Sequence, residues 1–496
     1  MKTVAGIDLG TQSMKVVIYD YENHNIIEKA SCPVELISAD DGTREQKTEW
    51  FDEALKVCFE KLSAENKSTI EAIGVSGQQH GFVPLAADGS PLYNIKLWCD
   101  TSTTAECEEI TAKVGGKDAV INATGNLMLT GFTAPKILWL KKNKKDAWNN
   151  LKYIMLPHDY LNWKLTGDYV MEYGDASGTA LFDSKNRVWS KVVCDAIDEK
   201  LIDILPPLIE PQAKAGSVSA EAAKLYGIPE GIPVSAGGGD NMMGAIGTGT
   251  VSDGFLTMSM GTSGTLYGYS AKPISDPENG LSGFCSSSGG WLPLLCTMNC
   301  TVATEFVRGL FNFSISDLEA HSSKAPCGSE GVIVLPFFNG ERTPNLPNGR
   351  ASITGLTTAN TNKENICRAS MESAVFAMRG GLDAFRKLGF EPKEIRLIGG
   401  GSKSATWRQI AADIMNLPVR VPVLDEAAAL GAAVQALWCL ESEKTGKTAD
   451  IAALCAEHIK LDTEATTNPI PENVAAYDKA YDAYNTVLDA VKPLYI

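Results

Sequence analysis

The chain is expected to fold as two related α/β lobes that face one another across a cleft, and three observations predict it. A strand–turn–strand unit opens the sequence and returns half a chain later. Apolar strands alternate with helical segments in each half, the pattern of sheets covered by helices. At 496 residues the chain also exceeds what one core holds, since cores stop growing near roughly 250–300 residues.

Taken in order, Thr3 to Asp8 is an apolar, strand-like run. Gly10-Thr11-Gln12-Ser13 has turn chemistry, and Lys15 to Tyr19 is again β-rich. Helical periodicity covers Glu49 to Lys67 and precedes a strand from Ala72 to Ser76. Pro206-Pro207 through Gly231 is rich in loop residues and leads towards the join. The boundary is expected near 246–255, giving lobes of 1–247 and 248–496. Met258 to Tyr269 repeats the opening unit around Gly261-Thr262-Ser263-Gly264. A long helix is expected over Asn365 to Leu388 and a strand over Ile395 to Ile398. Beyond them a helix is expected over Ser404 to Met415, a strand over Val419 to Val423 and a helix over Glu426 to Leu440.

Charge and composition narrow the function. A formal net charge of −16 argues against nucleic acid and anionic membranes, which need clustered Lys and Arg. It leaves room for a nucleotide whose phosphates are held by backbone N–H groups and a cation. The opening residues lack the apolar core of a signal peptide, and no run of about 18 apolar residues occurs. The 12 Cys are scattered, as befits reduced core thiols, so a cytoplasmic location is expected.

Four glycine-bearing segments carry chemistry. In Gly6-Ile7-Asp8-Leu9-Gly10-Thr11-Gln12-Ser13, Gly10 permits a tight turn whose N–H groups can cradle an anion. Thr11 and Ser13 add hydroxyls and Lys15 a positive charge. Asp8 at the end of an apolar strand is costly unless it serves a cation or a hydrogen-bond network, and magnesium on nucleotide phosphates meets that need. A plain β-turn with a capping Asp is the bland alternative. Gly261-Thr262-Ser263-Gly264-Thr265 offers the same turn without the acid, a second phosphate clamp when paired with the first. Ala236-Gly237-Gly238-Gly239-Asp240 ends three glycines on one carboxylate. Either Asp240 caps a helix, or it accepts a hydroxyl proton as that oxygen attacks phosphorus. Three glycines are more than a cap requires and suit close approach of a ligand. Ile398-Gly399-Gly400-Gly401-Ser402-Lys403-Ser404 is a strand-to-helix crevice of the kind that binds ligands. His80, in Gln78-Gln79-His80-Gly81 after a strand, is either a structural residue or a sugar contact. Gly446-Lys447-Thr448 resembles the end of a Walker A loop, but Glu441 stands where that loop needs Gly.

Taken together these residues resemble the FGGY family of carbohydrate kinases. Gly131-Phe132-Thr133-Ala134-Pro135-Lys136-Ile137-Leu138-Trp139-Leu140-Lys141-Lys142-Asn143 fits the family's first signature. The match spans nearly the whole chain, and it is strongest with the branch that phosphorylates the ketopentose D-xylulose. Gly125-Asn126-Leu127, Leu156-Pro157-His158-Asp159-Tyr160-Leu161 and Gly340-Glu341-Arg342-Thr343-Pro344 carry that likeness. The resemblance implies the actin/hexokinase-type, ribonuclease H-like fold and ATP-dependent phosphorylation of a sugar. It makes Asp240 the catalytic base and Gln79, His80 and Asp100 sugar contacts beside Asp240. Gly10, Thr11, Gln12, Ser13, Lys15 and the Gly261, Thr262, Ser263, Gly264, Thr265 turn would hold the phosphates of ATP. Gly400, Gly401 and Ser404 would hold adenosine, with Asp8 and Asp240 turned to Mg2+. Two positions depart from the pattern. Gln79 stands where many members carry Met, and Ser102 where a guanidinium is expected near the sugar. Ribulose, glycerol or another polyol therefore remains an alternative acceptor, and a non-catalytic actin-like ATPase the alternative outside sugar kinases. The expected partners are D-xylulose and ATP, with no nucleic acid or membrane and a homodimer left open.

Overall fold

The computed structural model describes residues 2–495. Its N-terminal half is built on a seven-stranded sheet. Strands β1 (Thr3–Leu9), β2 (Ser13–Asp20) and β3 (Asn25–Pro33) form an antiparallel meander. Helix α1 (Thr48–Lys61) then crosses over to β4 (Ile70–Gly77), which lies parallel to β1. The helical run expected to Lys67 breaks after Lys61. Leu62 turns extended and Ser63 starts a separate short helix by accepting from the Asn66 amide. Helices α2 (Thr133–Asn143) and α3 (Pro157–Thr166) come next. The sheet is completed by β5 (Lys214–Ser217), β6 (Pro233–Ser235) and the two-residue β7 (Gly238–Gly239). Helix α4 (Asp240–Thr248) ends this half.

A second seven-stranded sheet opens with β8 (Phe255–Met260) and β9 (Gly264–Gly268), then β10 (Ser282–Cys285) and β11 (Trp291–Thr297). The long helix α5 (Lys363–Lys387) leads to β12 (Glu394–Ile398), parallel to β8. Then come α6 (Ala405–Met415), β13 (Val419–Pro422), α7 (Ala427–Thr445) and β14 (Leu461–Thr467). The two sheets share one order: β3-β2-β1-β4-β6 in the first matches β11-β9-β8-β12-β13 in the second. The repeat read from the two hairpins is thus a repeat of whole sheets. Gly446 closes α7 in a left-handed C-cap, so the Walker-like triplet is a helix end.

The halves meet through α7, which lies against the first sheet. A Cβ on Gly6 of β1 would stand 1.9 Å from the Ala429 carbonyl oxygen, and one on Gly74 of β4 1.9 Å from that of Ala432. Between α4 and α7 the contact is as close: Cβ atoms on Gly247 and Gly431 would lie 1.8 Å from the Ala427 and Met243 oxygens. No heavier side chain fits at these four crossings. Among the described residues no helix is long and apolar enough to cross a membrane.

Candidate active site

Three parallel strands of the first sheet end side by side. Leu9 of β1 pairs with Gly77 of β4, and Gly77 with Gly239 of β7. The segments that leave these strands therefore emerge at one edge: the Gly10 turn, Gln78-Gln79-His80, and Asp240. Such an edge, where parallel strands end and helices begin, is where ligands bind in α/β sheets.

Asp240 is the first residue of α4, not its cap; Gly239 occupies the cap position without a side chain. The carboxylate instead accepts from the Asn241 amide at 2.8 Å and the Asn241 side chain at 3.0 Å. Burial, then the charge of Asp8 nearby, pushes its pKa up to about 7. Asp8 is itself raised by burial, opposed by the Ser76 hydroxyl at 2.8 Å and by Lys15. A cation between the two acids would relieve both. The three glycines before Asp240 are required by protein neighbours more than by a ligand. A Cβ would strike the Val75 carbonyl oxygen from Gly237, Ser287 from Gly238 and Gln79 from Gly239.

Asp240 lines a cavity of about 820 Å³ together with Gln79, His80, Trp98, Asn241, Ser263, Thr265 and Arg342. Gln79 Nε2 and Thr265 Oγ1 are buried there without partners, polar atoms of the kind a sugar satisfies, whereas His80 Nδ1 is turned to the Gly178 backbone. His80 is held hard. Its φ is +64°, costly for a residue with a Cβ. Its carbonyl accepts from Lys136 Nζ at 2.8 Å and Thr133 Oγ1 at 3.1 Å. Phe132 meets the ring edge-on, with centroids 4.9 Å apart. Burial, Lys136 and Arg342 keep the imidazole well below its ordinary pKa, hence neutral. Lys136 is itself lowered by burial to about 7 and also donates to the Gly131 carbonyl at 2.7 Å.

Beneath this wall lies an ionic cluster that composition and spacing do not reveal. His158 Nδ1 meets Asp175 at 2.8 Å and its Nε2 meets Asp159 at 2.9 Å, all three buried. Only the fold brings Asp175 to the Leu156–Leu161 motif.

The first turn touches the same wall. Thr11 Oγ1 donates to Gln78 at 3.2 Å and accepts from the Trp98 indole at 3.0 Å. In both hairpin turns the glycine amide is tied inward, Gly10 to the Ser13 carbonyl at 3.0 Å and Gly261 to that of Ser263 at 3.1 Å. The amides of Thr11, Gln12, Thr262 and Ser263 donate to no backbone carbonyl among the described residues. The second turn lies against the Gly399–Gly401 loop, where a Cβ on Gly399 would come within 2.7 Å of the Met260 carbonyl oxygen. Gly400 is open, with nothing within 4 Å of an added Cβ.

Asp8, the Gly10–Ser13 turn, Gly400 and Gly401 lie outside the lining of that cavity, and Asp100, Lys15 and Ser404 are placed differently from their simplest reading. Asp100 is fully buried and absent from the cavity wall. Its oxygens accept from the Arg44 amide, the Ser102 amide and hydroxyl, and Lys96 Nζ at 3.2 Å. The carboxylate thus braces the loop behind Trp98. Lys15 does not hang free over the turn but pairs with Glu426, at the start of α7, at 2.7 Å. The Ser404 hydroxyl accepts from the Trp407 amide at 3.0 Å and donates to Glu319, as a helix cap does. Arg342 stands in a motif that carries the family likeness and Trp98 beside a candidate sugar contact, but their place on the wall is not legible, because nothing local in the sequence says which loops line the cleft.

Similarity to known proteins agrees with this geometry. The model of the N-terminal domain of the FGGY family of carbohydrate kinases matches residues 3–247, and that of the C-terminal domain residues 256–440. The chain is 44% identical to a xylulose kinase of Haemophilus influenzae over 492 residues, 97% of this chain and 99% of that one. It is 33% identical to a xylulose kinase of Bacillus subtilis over 508 residues, 100% of this chain and 98% of the other. Among solved structures, a xyloylose kinase from Brucella ovis superposes with a TM-score of 0.91 at 30% identity, covering 99% of this chain and 100% of that one. The two share the two-lobed, actin/hexokinase-like architecture. With both halves matched in order and the sheet edge equipped as described, the chain belongs to the FGGY family of carbohydrate kinases.

Proposed function

We propose that this protein transfers the γ-phosphoryl group of ATP to the terminal hydroxyl of D-xylulose, giving D-xylulose 5-phosphate, with Asp240 as general base. The observation that carries the reading is Asp240 itself, a carboxylate with pKa about 7 opening on a cavity walled by unpartnered polar atoms. The relatives named xylulose kinase supply the choice of sugar. Gln79 and His80 orient the sugar, while the Gly10–Ser13 and Gly261–Thr265 turns take the phosphates and Gly400 and Gly401 the adenosine. Asp100 serves the sugar at one remove, by bracing Trp98. Magnesium, bound with the phosphates, would neutralise charge on the transferred group. Asp8 and Asp240 are the carboxylates that would hold it. Among the described residues no three His, Cys, Asp or Glu side chains converge as a metal site, which fits an ion held largely by ATP's own oxygens. A closed cleft keeps water from competing with the sugar. The 12 unpaired thiols fit a reducing compartment, which we take to be the cytoplasm.

Two measurements test this. ADP release with ATP and magnesium over a panel of ketoses and polyols should be fastest with D-xylulose; a preference for ribulose or glycerol would move the reading to that acceptor. Asp240→Ala should lose about 10²–10⁴-fold in turnover while still binding sugar and nucleotide. Near-wild-type turnover in that variant rules out the base.

A further inference from the structure

Arg342, on the cavity wall, is left unused by the mechanism above. Arg342 sits in the C-terminal half, in the loop joining the strands Ile333–Leu335 and Ser352–Thr354. Its guanidinium nonetheless reaches the N-terminal wall. Nη2 lies 3.6 Å from the point where a side chain on Gly131 would begin, and Gly131 stays bare because that atom would meet the Trp98 carbonyl oxygen at 2.6 Å. The positive charge helps to keep His80 neutral, and it opposes the burial that raises the Cys296 thiol, on which Asp240 also acts. Arg342 therefore stands within electrostatic reach of both the sugar wall and the neighbourhood of the base.

No carboxylate answers it. Glu341 next door is committed to backbone and Asn299: one oxygen accepts from the Met298 amide at 2.6 Å and the Arg342 amide at 2.7 Å, the other from Asn299 Nδ2 at 3.0 Å. Among the described residues no ion pair includes the Arg342 side chain. In a protein with a net charge of −16, a guanidinium facing a cavity without a counter-charge is placed for a ligand's oxygens. The N-terminal position where such a group was expected is closed. The Ser102 hydroxyl donates to Asp100 at 2.6 Å and accepts from Lys96 Nζ at 2.8 Å.

We propose that Arg342, delivered from the C-terminal half, grips the oxygens of the bound sugar. The inference rests on the sugar-kinase reading and deepens it. A planar fork of donors suits adjacent hydroxyl and carbonyl oxygens, which a point-like ammonium does not span. The sugar would then touch both halves at once, Gln79, His80 and Asp240 from one side and Arg342 from the other. Sugar binding would thereby draw the halves together before phosphoryl transfer.

Calorimetric titration of D-xylulose into nucleotide-free protein tests this apart from catalysis. Arg342→Met is expected to weaken sugar binding roughly 10- to 100-fold and Arg342→Lys to recover only part of it, with ADP affinity unchanged in both. Melting temperatures report separately on folding. Wild-type sugar affinity in Arg342→Met, or a loss of ADP affinity in place of sugar affinity, overturns the proposal. Wild-type protein that binds no sugar of the panel would overturn the kinase reading and this inference together.

Discussion

The Asp240 carboxylate carries a folding cost that the proposed role as base would require. Its pKa rises from 3.8 to about 7 in the fold, so the folded protein binds this proton more tightly than the unfolded chain does. The resulting stabilisation is complete below about pH 4 and is lost as pH rises through 7. Asp240→Asn, which cannot ionise, should therefore melt higher than wild type at pH 8. The gain is on the order of 1–3 kcal/mol once solvent in the open cavity is allowed for, and it should shrink towards pH 5. Equal melting at pH 8 would mean the carboxylate is not strained. The rate senses the same group: kcat/KM for the sugar should fall at acid pH, with a midpoint drawn below 7 by the magnesium that would sit beside the carboxylate. A profile flat down to pH 4 contradicts an ionisable base at this position. His80 shows why residue roles are only partly legible in the sequence. Its place after a strand and between polar neighbours suggests a sugar contact, but the Lys136 clamp on its left-handed backbone comes from a segment more than fifty residues away. If Lys136 acts through His80, Lys136→Met should raise the sugar KM in wild type but add nothing in a His80→Ala background; additive effects would assign Lys136 to the fold alone.

Among the elements, α7 does more than close its own sheet. Besides its backbone contact with Gly6 and Gly74, it sends Gln435 under the glycine run, where the side chain accepts from the Gly237 amide at 2.8 Å and donates to its carbonyl at 3.0 Å. A helix from the second half thus holds the strand that presents Asp240. Gly431→Ala should destabilise by roughly 3 kcal/mol or more, because its Cβ meets backbone 1.8 Å away. Gly309→Ala, in the helix Thr301–Phe311 with open space around it, should stabilise by about 0.5–1 kcal/mol. Urea titration of both distinguishes close packing from mere helix propensity. Periodicity finds α5, α6 and α7 to within a few residues, since apolar repeats and breakers fix such elements locally. It cannot find β7, two glycines long, nor the break after Lys61, because partner strands and packing decide those.

For the whole molecule, the repeated hairpins are the most informative feature of the sequence, since the β1–β2 and β8–β9 units seed two sheets of the same order. What the sequence hides is that the halves share a helix. A fragment of residues 1–247 lacks α7 and would expose the sheet face around Gly6 and Gly74. It is expected to show no cooperative thermal transition alone and to regain one when combined with 248–496; independent folding of the fragment would refute this dependence. The arrangement also explains why Lys15 finds Glu426, tying the strand after the Gly10–Ser13 turn to the second half, where Lys403 and Asp425 pair at 3.1 Å. The most direct test of the account is a crystal structure with D-xylulose and a non-hydrolysable ATP analogue. The γ-phosphate should lie between the Gly10–Ser13 and Gly261–Thr265 turns, with the terminal hydroxyl of the sugar against Asp240 and in line with phosphorus. A nucleotide resting on one turn alone, or a sugar bound away from Asp240, would contradict it.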